Sequence, residues 1–137
     1  MVSIILISHG KLAEELLNTS KLIMGEQKNV VALGLEPDES LECLKKRIRS
    51  VCARLYQEDG ILILADLFGG TPTNAAILGV LGCYEKIEIL SGVNLPMLLD
   101  AFINRHIPLK ELTDRLKQVG KNSIISINDI ETSVPEE

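Results

Sequence analysis

Two short stretches carry residues whose types suit chemistry. "ILISHG", residues 5–10, ends an apolar run at His9, one of only two histidines in the chain. "ILILAD", residues 61–66, ends a second apolar run at Asp66. Imidazole is nucleophilic through whichever ring nitrogen lacks a proton. A carboxylate on the other nitrogen fixes the tautomer and stabilises positive charge developing on the ring. Directly after Asp66 comes "FGGTPTN", residues 68–74. There Gly69 and Gly70 let the backbone turn and expose N–H groups, while Thr71 adds a hydroxyl before a helix start. Such a turn cradles an anion, most simply a phosphoryl group. The helix expected after Gly10 brings further N–H groups beside His9. In "SGVNLP", residues 91–96, Ser91, Gly92 and Asn94 can complete a pocket wall.

Each feature also has an ordinary use. A strand-ending His can be a surface residue, an Asp there a turn residue, a GGTP turn a simple connection, and Asn94 a helix cap. "LEPDES", residues 35–40, holds three carboxylates, but Asp38 and Ser40 suit helix capping and no metal-like spacing accompanies them. His106, before Pro108, reads as an exposed loop residue. The chain has no GxGxxG, no GxxxxGK[ST] and no GxSxG, so dinucleotide, P-loop and hydrolase-elbow sites lack support. Aromatics are 3% of residues, too few to stack on a flavin. A metal-dependent hydrolase would need a third ligand beside His9 and Asp66.

The elements that must position these residues follow from periodicity. Residues 3–8, 30–35, 61–66 and 86–91 are short, β-branched and apolar on both faces, as parallel strands covered by helices are. Helices are expected over 11–24, ended by Gly25, and over 39–57, where Leu41, Leu44, Ile48, Val51, Cys52 and Leu55 recur at three- and four-residue steps. A third starts with Thr71 as N-cap and Pro72 at its first position, reaching about Gly79. A fourth runs from Asn94 to about Asn104. A fifth spans 109–119 with Gly120 as its stop. Residues 123–129, "SIISIND", read as a last strand before the acidic "ETSVPEE".

This order specifies an α/β doubly wound, mainly parallel sheet. With strand order 2-1-3-4, the winding reverses between strands one and three, where such sheets bind ligands. His9 and Asp66 end those two strands. Residues 1–130 form one expected domain and 131–137 an expected flexible acidic tail. The formal net charge of −5 argues against nucleic acid or an anionic membrane surface as partner. No run reaches the roughly 18 apolar residues of a membrane span, and the first residues lack the basic n-region and small-residue cleavage site expected of a signal peptide. Cys43, Cys52 and Cys83 are odd in number and form no CxxC pair, which suits free, mostly buried thiols in a reducing cytosol. A cytoplasmic protein is expected.

Three ordered blocks resemble one family. "ISHGKLAEELLNTSKLIMGEQKNV" is similar to the phosphorylation segment of the EIIA domain of the mannose-type (mannose/fructose/sorbose) bacterial phosphotransferase system. "ILILADLFGGTPTNAA" resembles its D-x-x-G-G-[ST]-P-x-N-A block, and "ILSGVNLPMLLDA" its G-V-N-[LI]-P-M-L block. The match spans about residues 1–129. The resemblance implies that His9 accepts a phosphoryl group, that Asp66 orients its ring, and that Gly10, Gly69, Gly70, Thr71, Ser91 and Gly92 bind phosphate. It implies no cofactor and no metal. It also implies HPr as donor, EIIB as acceptor, membrane subunits as indirect partners, and a homodimer exchanging its C-terminal strand. Sugar specificity in the family belongs to EIIB and the membrane subunits. Two alternatives stay open: a related phosphocarrier serving dihydroxyacetone kinase, and a non-catalytic anion-binding regulatory module on the same fold. An apolar rim of Leu67, Phe68, Leu95 and Met97 could meet the protein partners, or be core.

Overall fold

The computed structural model describes residues 1–130; the tail expected over 131–137 lies outside the described residues. Strands β1 (Ser3–His9), β2 (Val30–Leu35), β3 (Ile61–Ala65) and β4 (Ile87–Ser91) form one parallel sheet in the order β2-β1-β3-β4. Between and after them run helices α1 (Leu12–Met24), α2 (Leu41–Leu55), α3 (Gly70–Val80), α4 (Leu95–Ile103) and α5 (Leu109–Asn122).

The unbroken apolarity of β1 and β3 follows from burial on both faces. Ile5, Ile7, Ile61, Ile63 and Ala65 point into one core, with Leu44 and Ile48 of α2 and Ala75 and Ala76 of α3. Ile4, Leu6, Leu62 and Leu64 point the other way, against Ala13 of α1, Leu98 and Ala101 of α4, and Leu112 and Leu116 of α5. The register sets Ile7 beside both Leu33 and Ala65, so the carboxyl ends of β1 and β3 finish level. Serine and asparagine caps act as their types suggest: Ser40 Oγ accepts from Cys43 N–H at 3.1 Å, and Asn94 Oδ1 accepts from Met97 N–H at 3.0 Å.

Four expectations are corrected. First, α3 begins earlier than a Thr71 cap allows: Gly69, at φ +82°, is its N-cap. Second, α5 does not stop at Gly120 but runs through it to Asn122. A Cβ on Gly120 would lie 2.6 Å from Met97 Cε, so this glycine admits a neighbour rather than ending a helix. Third, residues 123–129 form no strand; a short 3-10 turn, Ile127–Asp129, follows α5. A strand needs a partner edge for its N–H and C=O groups, and here the segment pairs with none among the described residues. Ile124, Ile125, Ile127 and Ile130 are consequently exposed. Fourth, of the three cysteines only Cys52 is buried.

Candidate functional site

His9 is the last residue of β1, and Asp66 directly follows β3, with its N–H donating to Ile7 O at 3.1 Å. Adjacent parallel strands thus deliver the two side chains to one point above the sheet. One carboxylate oxygen, Asp66 Oδ2, accepts from the His9 backbone N–H at 2.9 Å and stands 2.8 Å from His9 Nδ1. The other, Oδ1, accepts from Leu67 N–H at 2.9 Å. The Asp66 side chain is 6% exposed and that of His9 48%. Burial pushes the Asp66 carboxyl up, but hydrogen bonds from the N–H of His9, its ring and the N–H of Leu67 hold it below the ordinary range. It is therefore an anion at neutral pH.

A carboxylate can only accept, so Nδ1 carries a proton, and in the neutral ring Nε2 holds the lone pair. Nothing among the described residues bonds to Nε2. The Nε2 edge lies against Gly70: a Cβ built there would sit 3.1 Å from His9 Cε1 and 3.4 Å from Nε2. Gly70 also has φ +76°, a left-handed conformation that favours glycine. The ring therefore faces the first turn of α3, which carries no side-chain cap hydrogen bond. Its N–H groups are left to a ligand or water. Thr71 sits half-buried in that same turn.

On the other side of His9, Gly10 turns the chain into α1 at φ +54°. Ser8 Oγ accepts from Ala13 N–H at 2.8 Å, steadying this entry. Ser91 ends β4, which β3 separates from β1, and Gly92 directly follows it. They border a groove of about 370 Å³ with Asn94, Lys117, Lys121 and Ile124. His9, Asp66 and Gly70 come together, while Ser91 and Gly92 form a separate wall. Asn94 is occupied as the cap of α4, and its Nδ2 donates to Gly120 O and Ser123 Oγ at 3.2 Å each. Of the apolar rim, Phe68 is 86% exposed and Leu67 is exposed, but Met97 is core.

Two supporting residues escaped sequence reasoning. Thr73 is buried, and its Oγ1 donates to Leu67 O at 2.6 Å, tying α3 to the loop after Asp66. Gly34 lies directly beneath Gly10: a Cβ on it would fall 1.9 Å from the Gly10 carbonyl oxygen. A glycine inside a strand was the available signal, since it marks a close backbone approach.

The family described as "EIIA-man: PTS system fructose IIA component" matches residues 3–117. The chain belongs to this family. It is thus an EIIA component of a sugar phosphotransferase system. The fructose-specific EIIA component of Bacillus subtilis is 32% identical over 124 residues, 90% of this chain and 84% of that protein. The mannose-specific EIIAB component of Escherichia coli K12 is 38% identical over 104 residues, 76% of this chain but only 32% of that longer protein. Among solved structures, the mannose/sorbose-specific IIA subunit from Enterococcus faecalis superposes with a TM-score of 0.85. It is 29% identical, with 99% of this chain and 98% of that one covered. Component EIIA from Streptococcus agalactiae gives 0.87 at 28% identity, over 95% and 100%. Among the described residues no helix of this EIIA component is long and apolar enough to cross a membrane.

Proposed function

We propose that this EIIA component accepts a phosphoryl group from phospho-HPr on His9 Nε2 and passes it to a histidine of EIIB. The observation that carries this reading is the division of labour on the His9 ring: Nδ1 held by Asp66, Nε2 open beside Gly70. The Nε2 lone pair attacks phosphorus as the N–P bond of the donor breaks, its electron pair returning to the donor imidazole. Because Nδ1 keeps its proton, the His9 ring gains positive charge, which the Asp66 carboxylate offsets. Transfer onward reverses these roles: the N–P bond at Nε2 breaks and its electron pair returns to His9.

Such a displacement depends on positioning and on stabilising charge on the equatorial oxygens. The N–H groups of Gly69, Gly70 and Thr71, with the Thr71 hydroxyl, are the donors on the α3 side; Gly10, whose N–H is already given to Leu35 O, shapes the turn beside α1 and is not itself a donor. Ser91 and Gly92 form the outer wall. No arginine lies between Ile61 and Leu90, which suits a carrier that must release its cargo. Leu67 and Phe68, exposed beside the site, form the contact with HPr and EIIB.

The functional unit in this reading is a homodimer. The edge position of β4 and the exposed Ile124, Ile125 and Ile127 support it, because a second copy offers residues 123–129 a strand partner that they lack among the described residues.

The test is intact mass after mixing the protein with phosphoenolpyruvate, enzyme I and HPr. The expected result is one phosphoryl increment, lost in mild acid, kept in alkali and absent from His9→Ala. No increment while HPr is fully phosphorylated, or equal labelling of His9→Ala, would overturn the reading.

A further inference from the structure

The turn that carries His9 is held from outside the site by a charged pair on α2 and its approach. β2 is an edge strand, so its carbonyls alternate between β1 and an open side. Leu35 O faces inward and accepts from Gly10 N–H at 3.0 Å. Gly34 O is taken by Arg47, whose Nη1 donates to it at 3.1 Å and to the Glu39 carboxylate at 2.8 and 3.0 Å. Glu39 Oε1 also accepts from Glu36 N–H at 3.0 Å. Residues 34 and 36 are therefore both tied to one ion pair, and Leu35, which holds Gly10, is bracketed between them. The Gly10 carbonyl rests on the bare Cα of Gly34, in space that any side chain at position 34 would claim.

This pair differs from an ordinary surface bridge. The Glu39 side chain is 6% exposed and that of Arg47 38%, so the carboxylate is the shielded partner. Burial pushes its carboxyl up, but Glu36 N–H, Arg47 and the Cys43 thiol hold it below the ordinary range. Exposed pairs contribute little, whereas breaking one partner of a shielded pair leaves a stranded charge.

We infer that Arg47 and Glu39 are positioning residues for the acceptor turn: through Gly34, Leu35 and Glu36 they fix Gly10, and through Gly10 the direction of the His9 ring. The inference rests on the reading of His9 as the acceptor. Reactions of this kind are sensitive to sub-ångström placement, and a displacement of 1 Å costs on the order of 100-fold in rate. A rigid strut behind the nucleophile is one way to secure that placement without putting another charge near the phosphoryl group.

The test compares wild type with the double variant Glu39→Gln/Arg47→Gln, which removes both charges together and strands neither, and with Gly34→Ala, which displaces Gly10 directly. Two quantities are read: single-turnover transfer from phospho-HPr across a range of HPr concentrations, and the His9 tautomer by ¹⁵N NMR. The expected result for both variants is a limiting rate lower by about tenfold, an unchanged half-saturating HPr concentration, and a smaller population with the proton on Nδ1. A double variant that melts earlier yet keeps the wild-type limiting rate and tautomer would overturn the inference, leaving the pair a stabilising one only. Should wild type itself accept no phosphoryl group, the proposed function fails, and the tautomer measurement alone decides whether the strut orients the ring.

Discussion

Asp66 Oδ2 accepts from the backbone N–H of His9 at 2.9 Å while standing 2.8 Å from its ring Nδ1. One oxygen thus fixes both where the histidine sits and which way its ring faces. An amide at position 66 can keep both contacts only with its oxygen toward His9, which turns its NH₂ against the Leu67 N–H that now donates to Oδ1, and it has no negative charge to offset that of the ring. With NH₂ toward the ring, Nδ1 must lose its proton and the open nitrogen gains one. Asp66→Asn is therefore expected to fold normally yet transfer the phosphoryl group at least about 100-fold more slowly. Rapid-quench labelling from phospho-HPr checks this; a wild-type rate would remove Asp66 from the reaction.

The same carboxylate shapes stability toward acid. Asp66 and Glu39 both have folded pKa values below their ordinary ones, about 3.9 and 4.3 in an unfolded chain. Each group's contribution is thus fully present above about pH 5 and lost as pH falls through the folded value. The urea midpoint of the wild type is expected to decline below about pH 4. Asp66→Asn and Glu39→Gln should each flatten part of that decline while lowering the midpoint at pH 7. Parallel acid limbs for all three proteins would contradict it.

At the opposite end of the sheet, Arg105 is 2% exposed and donates only to backbone carbonyls: Val2 O at 2.9 Å, Lys28 O at 2.6 Å and Asn29 O at 3.0 Å. It joins the end of α4 to the starts of β1 and β2. Arg105→Met removes the guanidinium from these carbonyls, of which Asn29 O keeps the Ile4 N–H at 3.0 Å, and should cost about 3 kcal/mol of stability. The site lies at the far ends of these strands, so transfer at 25 °C should keep its wild-type rate. Denaturant unfolding and rapid quench measure the two separately, and a loss below about 1 kcal/mol would show that water replaces the guanidinium.

How far the sequence could be read follows from what each residue depends on. β1 and β3 were legible because burial on both faces demands unbroken apolar runs such as Ile61–Ala65. His9 and Asp66 were legible as neighbours because winding order alone brings those strand ends together. Gly120 is easily misread because a helix-ending glycine and a glycine against Met97 look alike in sequence. Residues 123–129 alternate like a strand, but strand formation needs an edge that sequence periodicity does not supply. Arg47 and Glu39 stayed hidden for a different reason: they sit eight residues apart, and only the curl of the chain after β2 brings them together.

The exposed isoleucines after α5 make the dimer testable. Ile124, Ile125 and Ile127 cover nothing within the described residues, and an apolar segment of that kind suits an interface. Sedimentation at micromolar concentration should show a dimer for the wild type. Ile125→Asp combined with Ile127→Asp should shift it toward monomer by at least about tenfold in dissociation constant, since each buried side chain contributes about 1.5–3 kcal/mol. A wild type that stays monomeric would refute the dimer.

Gly69 and Gly70 separate backbone strain from crowding at the ring. Both have positive φ, +82° and +76°, so alanine at either should cost about 1–2 kcal/mol. They differ in what a Cβ would meet: nothing within 4 Å at Gly69, but His9 Cε1 at 3.1 Å and Nε2 at 3.4 Å at Gly70. That methyl would occupy the flank of the nitrogen that must approach phosphorus. Gly70→Ala is accordingly expected to slow transfer at least about tenfold more than Gly69→Ala, with similar unfolding midpoints for the two. Equal rates would mean that the phosphoryl group reaches the ring from another side, and that Gly70 is a glycine for its backbone conformation alone.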